Sequence, residues 1–418
     1  MIMSAPRGTQ DVLPSSVYLY QYVEDTFRQI CRQYGYHEIR TPIFEHTELF
    51  QRGVGETTDI VQKEMYTFSD RSNRSLTLKP EGTAPTVRAY IEHKMHANTQ
   101  PTKLYYITPI FRYERPQAGR YRQHEQCGIE LFGAASPEAD AEVILVADTF
   151  YKTIGLRSYE LHINSVGCPS CRDEHRLALQ NMLAGVLPEL CSDCRIRYDR
   201  NPLRVLDCKN EHCRELSATA PTMMEHLCAD CTTHYQGVQH LLNSCKVRFR
   251  ENPRLVRGLD YYTNTAFEFV SVGIGAQSAI GGGGRYNGLI GALGGEETPG
   301  VGFGLGVERI LLALELEGVE IPQPEGTEVF IATIGQAVVA YAFNTVQKLR
   351  ENKVSTEQDL LQRSLKAQMK YAAKLKAKTV VIIGEDEIAR GIAIVRDMSS
   401  GEQKEIRLEH ILLEFNVQ

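Results

Sequence analysis

Residues 104–132 carry the clearest alternation of hydrophobic and polar positions in the chain. Residues 104–114 are rich in Tyr, Ile, Phe and Thr, which predicts a strand. Pro116 and Gly119 then mark a loop, because proline lacks an N–H donor and glycine permits unusual backbone angles. The second predicted strand has Cys127, Ile129 and Leu131 on one face and Gln126, Gly128 and Glu130 on the other. The pattern predicts an antiparallel hairpin.

The charges on this hairpin allow two interpretations. A hairpin with one solvated polar face is the ordinary one. The other is a nucleotide site, in which arginines neutralise phosphates and carboxylates handle an amine or a metal. The residues concerned are Arg112, Glu114, Arg115, Arg120, Arg122, Gln126 and Glu130. Spacing alone leaves both interpretations open.

The spacing of apolar residues predicts helices and strands both before and after the hairpin. Residues 15–34 place apolar side chains at helical spacing, with Ser15 or Ser16 available as a cap. A short strand is predicted over 37–42, a helix over 84–93, a helix over 137–154 and a strand over 159–163. Before the second helix, Glu81 and Thr83 fit either turn and cap positions or a binding role.

Two segments in the second half are unusually rich in glycine. Residues 281–288 read GGGGRYNG, and residues 300–306 read GVGFGLG and lead into a predicted helix over 307–316. Neither matches a P-loop or a dinucleotide fingerprint. A strand with glycine at every second position exposes flat backbone on one face, where a flat adenine has room to lie.

The composition changes near residues 318–327, where Pro, Gly and Glu indicate a linker. Strands and helices alternate beyond it, which predicts a separate small α/β domain. Lysines recur there every fourth residue at Lys366, Lys370, Lys374 and Lys378. They form either a solvated helix face or a stripe that contacts RNA.

Composition narrows the class of protein. The 418 residues carry a net charge of −6, which argues against general coating of nucleic acid but allows a local basic surface. No apolar run approaches the roughly 18 residues that a membrane-spanning helix needs. The N-terminus lacks the apolar region of a secretory signal, so we expect a cytoplasmic protein that does not bind membranes.

The cysteines are concentrated in one segment. Of eleven cysteines, eight lie between Cys168 and Cys231, six of them in three CxxC pairs. In a cytoplasmic chain this spacing favours zinc over disulfides, and one or two structural zinc ions with four cysteines each are compatible with it. Reduced thiols in an ordinary small module are equally compatible. Residues 167–240 interrupt the main pattern and read as an inserted helical module.

Six segments, in this order along the chain, resemble the histidyl-tRNA synthetases of bacterial type. They are RGTQDVLP, TLKPEGTAPTVRAY, FRYERPQAGRYRQHEQCGIELFG, RGLDYYTNTAFEF, GGGGRYNGL and GVGFGLGVERILL. The hairpin and GVERILL resemble elements shared by class II synthetases, and RGLDYYT resembles the histidine-specific element. The cysteine-rich character of the insertion is not part of this resemblance.

The resemblance implies an α+β catalytic domain, in which an antiparallel class II sheet flanked by helices binds ATP and histidine. Residues 1–325 would form it, interrupted by the insertion at about 167–240, and residues 326–418 would form an α/β anticodon-binding domain. The implied reaction is ATP-dependent ligation of L-histidine to tRNA-His through histidyl-adenylate, with Mg²⁺. The resemblance further implies a homodimer made through the catalytic domains. The ligands of Mg²⁺ are not identified by the motifs.

The resemblance also implies roles for individual residues. Arg112 and Arg257 would be catalytic and would contact the α-phosphate, with Arg257 also on the histidine carboxylate. The implied ATP-binding residues are Arg112, Glu114, Arg120, His124 and Arg309. The implied histidine-binding residues are Glu81, Thr83, Arg112, Gln126, Glu130, Arg257, Tyr261 and Tyr262. Gln117 and Arg122 would meet the acceptor end of the tRNA.

His124 departs from the family, which usually has Phe stacked on adenine at this position. A histidine ring is flat enough to stack, but protonation would change its face. We therefore expect ATP binding to weaken between about pH 8 and about pH 6, on either side of the usual histidine pKa.

Two other classes of protein share parts of this pattern. One is the synthetase-like regulatory subunit of ATP phosphoribosyltransferase, which has the fold without the ligase activity and typically lacks RGLDYYT and the anticodon-binding domain. The other is a class II synthetase for a different amino acid, such as threonine or proline. The presence of RGLDYYT and of a C-terminal α/β domain argues against the first class. Glu130, Arg257 and the paired tyrosines favour an imidazole substrate over the second.

Overall fold

The computed structural model describes residues 3–56, 58–206, 208–273 and 279–415. The chain divides into two compact units, Met1–Ile321 and Pro322–Gln418. No helix among the described residues is long and apolar enough to cross a membrane.

Eleven strands are described in the first unit, and they form two sheets. In chain order they are β1 His37–Glu38, β2 Phe44–His46, β3 Tyr66–Ser69, β4 Ser75–Leu78, β5 Thr102–Phe111, β6 Gln123–Phe132, β7 Tyr159–Ser165, β8 Arg250–Glu251, β9 Thr263–Ser271, β10 Ala279–Arg285 and β11 Gly300–Gly306. The larger sheet has the order β1-β5-β6-β11-β10-β9-β7-β8, and the smaller has the order β2-β4-β3. The central pairs from β5 to β7 are all antiparallel, whereas the edge strands β1 and β8 pair in parallel.

The α-helices of this unit lie between the strands along the chain. They are α1 Val17–Gln33, α2 Thr47–Val54, α3 Thr83–Glu92, α4 Pro137–Thr153, α5 Pro169–Ala184, α6 Ser192–Arg200, α7 Glu211–Leu216, α8 Ala229–Ser244, α9 Leu289–Ala292 and α10 Val307–Leu316. Helix α10 has the bounds that the sequence predicts. Helix α1 begins two residues later, and its N-cap Ser16 makes no side-chain cap hydrogen bond, so the predicted serine cap is absent.

One face of the large sheet packs on helices, and the alternation in β6 explains which face. Cys127, Ile129 and Leu131 belong to the buried core, together with side chains of α1, α4 and α10. Phe27 of α1 sits at the centre of this core and makes edge contacts with the rings of Tyr105, Phe150 and Phe303. The opposite face of β6 is therefore free to carry Gln126, Gly128 and Glu130.

The cysteine-rich segment folds as a helical insertion between β7 and β8, made of α5 to α8 and short 3₁₀ turns. It has a small hydrophobic core of its own, which includes Leu179, Leu183, Leu190 and Val205. Helix α8 also packs against α4, since Tyr235, Val238 and Leu242 join the main core. The insertion is thus anchored to the sheet domain by its last helix.

The second unit contains a five-stranded mixed sheet. Its strands are β12 Val329–Ile334, β13 Thr356–Gln358, β14 Thr379–Gly384, β15 Ile392–Asp397 and β16 Gln403–Arg407, and its α-helices are α11 Val339–Glu351, α12 Leu365–Lys374, α13 Glu385–Arg390 and α14 Ile411–Glu414. The strand order is β13-β12-β14-β15-β16. Of the four periodic lysines, Lys378 lies beyond α12 and pairs with Glu325 at 2.5 Å. The predicted helical stripe is therefore limited to Lys366, Lys370 and Lys374.

Candidate active site

A cavity of about 250 Å³ opens on the face of the large sheet that is turned away from the main core. Strands β10 and β11 contribute Gly281, Gly282, Gly304 and Gly306 to its lining. Seven of the predicted site residues also line it: Arg112, Glu114, Arg120, His124, Gln126, Arg257 and Arg309. Residues far apart in the sequence thus meet on one surface.

The glycines in these two strands make room for the site. A Cβ atom at Gly282 would lie 2.8 Å from Arg257 Nη1, and one at Gly304 would lie 2.7 Å from Gln126 Nε2. Both distances are shorter than van der Waals contact, so any side chain here would displace a polar group of the cavity. The flat glycine face predicted from the sequence is therefore present, and the polar side chains of Arg257 and Gln126 lie next to it.

Three arginines converge on the cavity from different elements. Arg112 Nε donates to the carbonyl of Pro80 at 2.7 Å, Arg309 Nη1 to the carbonyl of Ala279 at 2.6 Å, and Arg257 Nη1 to Glu268 Oε1 at 2.5 Å. Burial and repulsion by Arg112 lower the pKa of Arg309. Like charges crowded in this way are stabilised by a bound polyanion.

Glu114 lies among these cations. Its carboxylate forms an ion pair with Arg120 and lies 4.0 Å from Arg112 Nη1. Burial, followed by the charge of Arg309, lowers the pKa of Arg120. Glu114 therefore offsets part of the positive charge and orients the Arg120 guanidinium.

His124 lies in a different electrostatic environment from the one that the sequence-based expectation assumed. Burial and the nearby charges of Arg112 and Arg309 lower the pKa of His124 to about 3. With this pKa the ring would stay neutral between pH 8 and pH 6, which argues against the expected weakening of ATP binding in that range. The sequence-based expectation assumed an ordinary histidine pKa, which the arginines change.

A buried polar cluster adjoins the cavity along β6. Glu130 is fully buried; its Oε1 accepts hydrogen bonds from Thr83 Oγ1 at 2.8 Å and from the Tyr106 hydroxyl at 3.1 Å, while Tyr286 donates to its Oε2. Burial raises the pKa of Glu130 to about 8. A Cβ atom at Gly302 would overlap this carboxylate, so β11 again makes room for a polar group.

Glu81 and Thr83 belong to the same cluster. The two oxygens of Glu81 accept the backbone N–H groups of Thr83 and Ala84 at 2.8 and 2.7 Å. Glu81 therefore makes the contacts of a helix cap at the start of α3, the ordinary role that the sequence left open. Burial raises the pKa of this carboxyl.

Tyr261 and Tyr262 complete the cluster. Their ring centroids lie 4.7 Å apart, and the Arg257 guanidinium lies 6.0 Å from the Tyr262 ring centroid. Both tyrosines precede β9, which begins at Thr263.

Comparisons with known proteins identify the family of this chain. The family model described as histidyl-tRNA synthetase matches residues 8–310, and the one described as anticodon binding domain matches residues 328–416. The chain belongs to the histidyl-tRNA synthetase family. The predicted family and fold class are both confirmed.

Individual relatives are similar over their whole length. The histidine–tRNA ligase of Desulforamulus reducens is 57% identical over 99% of this chain and 99% of its own, and that of Pelotomaculum thermopropionicum is 56% identical over 99% and 97%. The crystal structure of apo Staphylococcus aureus histidyl-tRNA synthetase superposes with a TM-score of 0.86 at 41% identity, covering 99% of this chain and 100% of that one.

Three residues of this synthetase site were not predicted from the sequence. Glu268 lines the cavity and pairs with Arg257, while Tyr106 and Tyr286 donate to Glu130. The sequence could have indicated Glu268, because this charged residue stands between two buried phenylalanines on β9. Alternate residues of a strand face opposite sides, so Glu268 must face away from the core. Tyr106 and Tyr286 reach Glu130 from β5 and from the residue after β10, and no local pattern indicates that contact.

The two residues predicted to meet the tRNA acceptor end lie on the loop between β5 and β6 of the synthetase. Gln117 is exposed and pairs with Arg120 through backbone hydrogen bonds at 3.1 and 2.9 Å. The Arg122 guanidinium lies 3.9 Å from the Tyr113 ring centroid, and its Nη1 donates to the carbonyl of Arg7 at 3.4 Å. Arg122 thus also ties this loop to the N-terminal segment.

The eight clustered cysteines of the synthetase insertion form two groups of four. One group is Cys168, Cys171, Cys228 and Cys231, and the other is Cys191, Cys194, Cys208 and Cys213. Within each group all four sulfur atoms lie within 4.8 Å of one another. All of these cysteines are free thiols in the structure.

Proposed function

We propose that this chain ligates L-histidine to tRNA-His in two steps. ATP and histidine first give histidyl-adenylate and pyrophosphate, and the tRNA terminal adenosine then takes the histidyl group and releases AMP. Membership of the histidyl-tRNA synthetase family supports this activity. The observation that carries it is the convergence of Arg112, Arg257 and Arg309 on one cavity beside the buried Glu130 cluster.

The triphosphate binds along the arginines. Arg112 contacts the α-phosphate and Arg309 the γ-phosphate end, since their guanidinium groups line the same cavity. Glu114 and Arg120 hold the nucleotide beside them, and the neutral His124 ring stacks on adenine. This arrangement is supported by the crowding of positive charge, which a triphosphate relieves.

Catalysis of the first step rests on position and charge. The histidine carboxylate attacks the α-phosphorus in line with the departing pyrophosphate, and negative charge accumulates on the non-bridging oxygens. Arg112 and Arg257 stabilise that charge and hold the two reactants together. Because Glu268 already fixes Arg257, little reorganisation is needed when the charge develops.

The histidine side chain binds in the Glu130 cluster. A carboxylate has about four lone-pair sites, and three protein hydroxyls donate to Glu130, which leaves one site for an imidazole N–H. Tyr261 and Tyr262 enclose the ring. Glu81, Thr83 and Gln126 receive the ammonium group, and the buried Gln126 Oε1 has no hydrogen-bond partner in the described part of the chain.

Magnesium accompanies ATP in this reaction. A magnesium ion typically binds one or two carboxylates together with substrate phosphates. Glu114 and Glu268 both line the cavity and supply such oxygens, so the donor set fits the ion. When bound, Mg²⁺ supplies positive charge to the phosphates.

The chain has a catalytic domain and an anticodon-binding domain, and both take part in binding tRNA. Residues 1–325 form the catalytic domain, interrupted by the insertion at about 167–240, and residues 326–418 form the anticodon-binding domain. Gln117 and Arg122 meet the acceptor end of the tRNA. The reaction takes place in the cytoplasm, which is supported by its role in translation.

The protein acts as a homodimer formed through its catalytic domains. An exposed apolar patch on the smaller sheet and the residue before it supports this assembly: Ile43, Phe44 and Phe68 are 46, 50 and 44% exposed. Patches of this kind mark interfaces in many proteins. Sedimentation of the wild type should give the mass of two chains, and Phe44→Glu with Phe68→Glu should shift it toward one.

ATP–pyrophosphate exchange tests the activity directly. Wild type and Arg257→Ala are assayed with histidine and a panel of other amino acids, and Arg248→Ala, at an exposed position, serves as control. We expect exchange with histidine alone, strongly reduced in Arg257→Ala and kept in the control. Exchange with no amino acid would favour the regulatory alternative, and exchange with another amino acid would identify a different synthetase.

A further inference from the structure

The two groups of cysteines have the dimensions of tetrahedral metal sites. Four thiolates at about 2.3 Å from one zinc ion lie about 3.8 Å from each other. Here the Cys168 and Cys171 sulfurs are 3.5 Å apart, and those of Cys191 and Cys208 are 3.9 Å apart. A disulfide would require a sulfur–sulfur distance of about 2 Å. The geometry fits four ligands around a single ion.

Backbone donors in both groups are aimed at the sulfur atoms. The N–H of Cys228, at the start of α8, donates to Cys171 Sγ at 3.1 Å, and the N–H of Cys191, at the start of α6, donates to Cys213 Sγ at 3.2 Å. Helix N-termini carry partial positive charge and unpaired N–H groups, which favour thiolates over neutral thiols. A metal ion is the natural counter-charge for four clustered thiolates.

We propose that the insertion holds two structural zinc ions, and that one of them positions the histidine-binding tyrosines. The root site consists of Cys168, Cys171, Cys228 and Cys231, which come from the first turns of α5 and α8. The middle site consists of Cys191, Cys194, Cys208 and Cys213. All four cysteines of the middle site lie in the sequence between the two CxxC pairs of the root site. A metal ion at the root site would therefore close a loop of the chain that contains the middle site.

Contacts link the root site to the histidine-specific segment. Asn264 Nδ2 donates to Cys231 Sγ at 3.3 Å, and the backbone of Asn264 pairs with Val166 and Gly167, which lie just before Cys168. Arg172, next to Cys171, donates to the carbonyl of Tyr262 at 3.1 Å. The segment that carries Tyr261 and Tyr262 is therefore held by groups on both sides of the root ligands.

The first test of the metal sites is to measure the number of zinc ions bound per chain. This measurement does not depend on the proposed function. Full-length protein, purified without chelators or added metal, should contain about two zinc ions per chain. Cys168→Ser with Cys228→Ser should leave one, as should Cys194→Ser with Cys208→Ser. Cys245→Ser, an exposed cysteine outside both groups, should leave two.

A second measurement uses only the wild type, so it remains informative if the cysteine variants fail to fold. Wild-type protein prepared with Co²⁺ should show the thiolate charge-transfer and visible bands of tetrahedral tetrathiolate cobalt, with an intensity for two ions per chain. Less than about half a metal ion per chain, or iron in place of zinc, would overturn the proposal. One ion in the wild type would overturn the two-site version.

The positioning role rests on the proposed function and needs kinetics. In the root-site variant we expect the KM for histidine in exchange to rise about 10-fold or more, with the KM for ATP within about 2-fold. An unchanged KM for histidine in a zinc-depleted but folded variant would overturn the positioning role. If the wild type contains zinc but shows no exchange, the proposed function fails while the metal sites stand.

Discussion

Arg257 and Glu268 form an ion pair at 2.5 Å across the floor of the active-site cavity, with the Arg257 guanidinium also near the Tyr262 ring. Arg257 precedes β9 and Glu268 lies on it, so the pair fixes the segment that contains Tyr261 and Tyr262. Burial opposes the charged form of Arg257, but the charge of Glu268 outweighs it and raises the Arg257 pKa. The cation is thereby kept in one orientation toward the reactants.

Loss of this pair should slow adenylate formation. In Glu268→Gln the amide no longer holds the guanidinium by charge, and we expect the kcat of exchange to fall about 10- to 100-fold, as for a misplaced catalytic group. Glu160→Gln, on an exposed glutamate of β7 in the same sheet, is the matched control and should change kcat little.

A double-mutant cycle shows whether Glu268 acts through Arg257. If it does, adding Glu268→Gln to Arg257→Ala should cost far less than in the wild type. Additive losses would contradict this relationship and would indicate a separate role for Glu268, such as binding Mg²⁺.

Histidine binding should strengthen as pH rises through about 8. The pKa of Glu130 is raised to about 8, so its carboxyl is mostly protonated at pH 7 and mostly ionised at pH 9. Only the ionised form keeps the remaining lone pair free to accept from the imidazole N–H, because the proton of the neutral form occupies it. We expect the KM for histidine to fall by up to about tenfold over this range, which exchange kinetics would measure.

Glu130→Gln separates this effect from the titration of histidine itself. The amide cannot ionise, so the variant reports only the titration of the substrate and of other groups. The ratio of KM values, variant to wild type, should therefore rise with pH. A ratio that stays constant from pH 7 to pH 9 would contradict a role for Glu130 ionisation.

The local sequence pattern was sufficient to predict most helices and strands, but it did not predict the contacts between them. Helix α10 has the predicted bounds, and β6 buries the predicted face, because period and burial are local properties. The pairing of eight cysteines into a root and a middle group is different, since the same CxxC spacings allow several pairings. The Arg257–Glu268 pair and the hydroxyls on Glu130 also join separate elements, so only the folded chain reveals them.

His124 illustrates how the tertiary environment changes a residue that the sequence identifies correctly as part of the cavity. Because its pKa is lowered to about 3, the ring stays neutral from pH 8 to pH 6. The KM for ATP in the wild type, divided by that in His124→Phe, should therefore stay constant within about 2-fold over this range, since ATP titrates equally in both. A ratio that rises toward pH 6 would restore the sequence-based expectation.

The arginine of the GGGGRYNGL segment has a structural role that stability measurements can isolate. Arg285 is fully buried, and its Nε donates to the two oxygens of the equally buried Asp140 at 3.2 and 3.0 Å. Burial alone would raise the pKa of Asp140, but His234, whose Nε2 lies 3.3 Å from Asp140 Oδ2, and the charge of Arg285 together lower it. Asp140→Ala would leave a buried cation without its carboxylate and should lower the free energy of unfolding by about 3–5 kcal/mol.

Urea unfolding of two further variants decides whether the unpaired charge is the cause. Asp25→Ala removes an exposed partner of Arg28 and should cost less than about 1 kcal/mol. Asp140→Ala combined with Arg285→Leu removes both charges, so it should be more stable than Asp140→Ala alone even though it lacks more native contacts. If the double variant is instead the less stable of the two, packing of the Arg285 side chain, and not its charge, is what the fold requires.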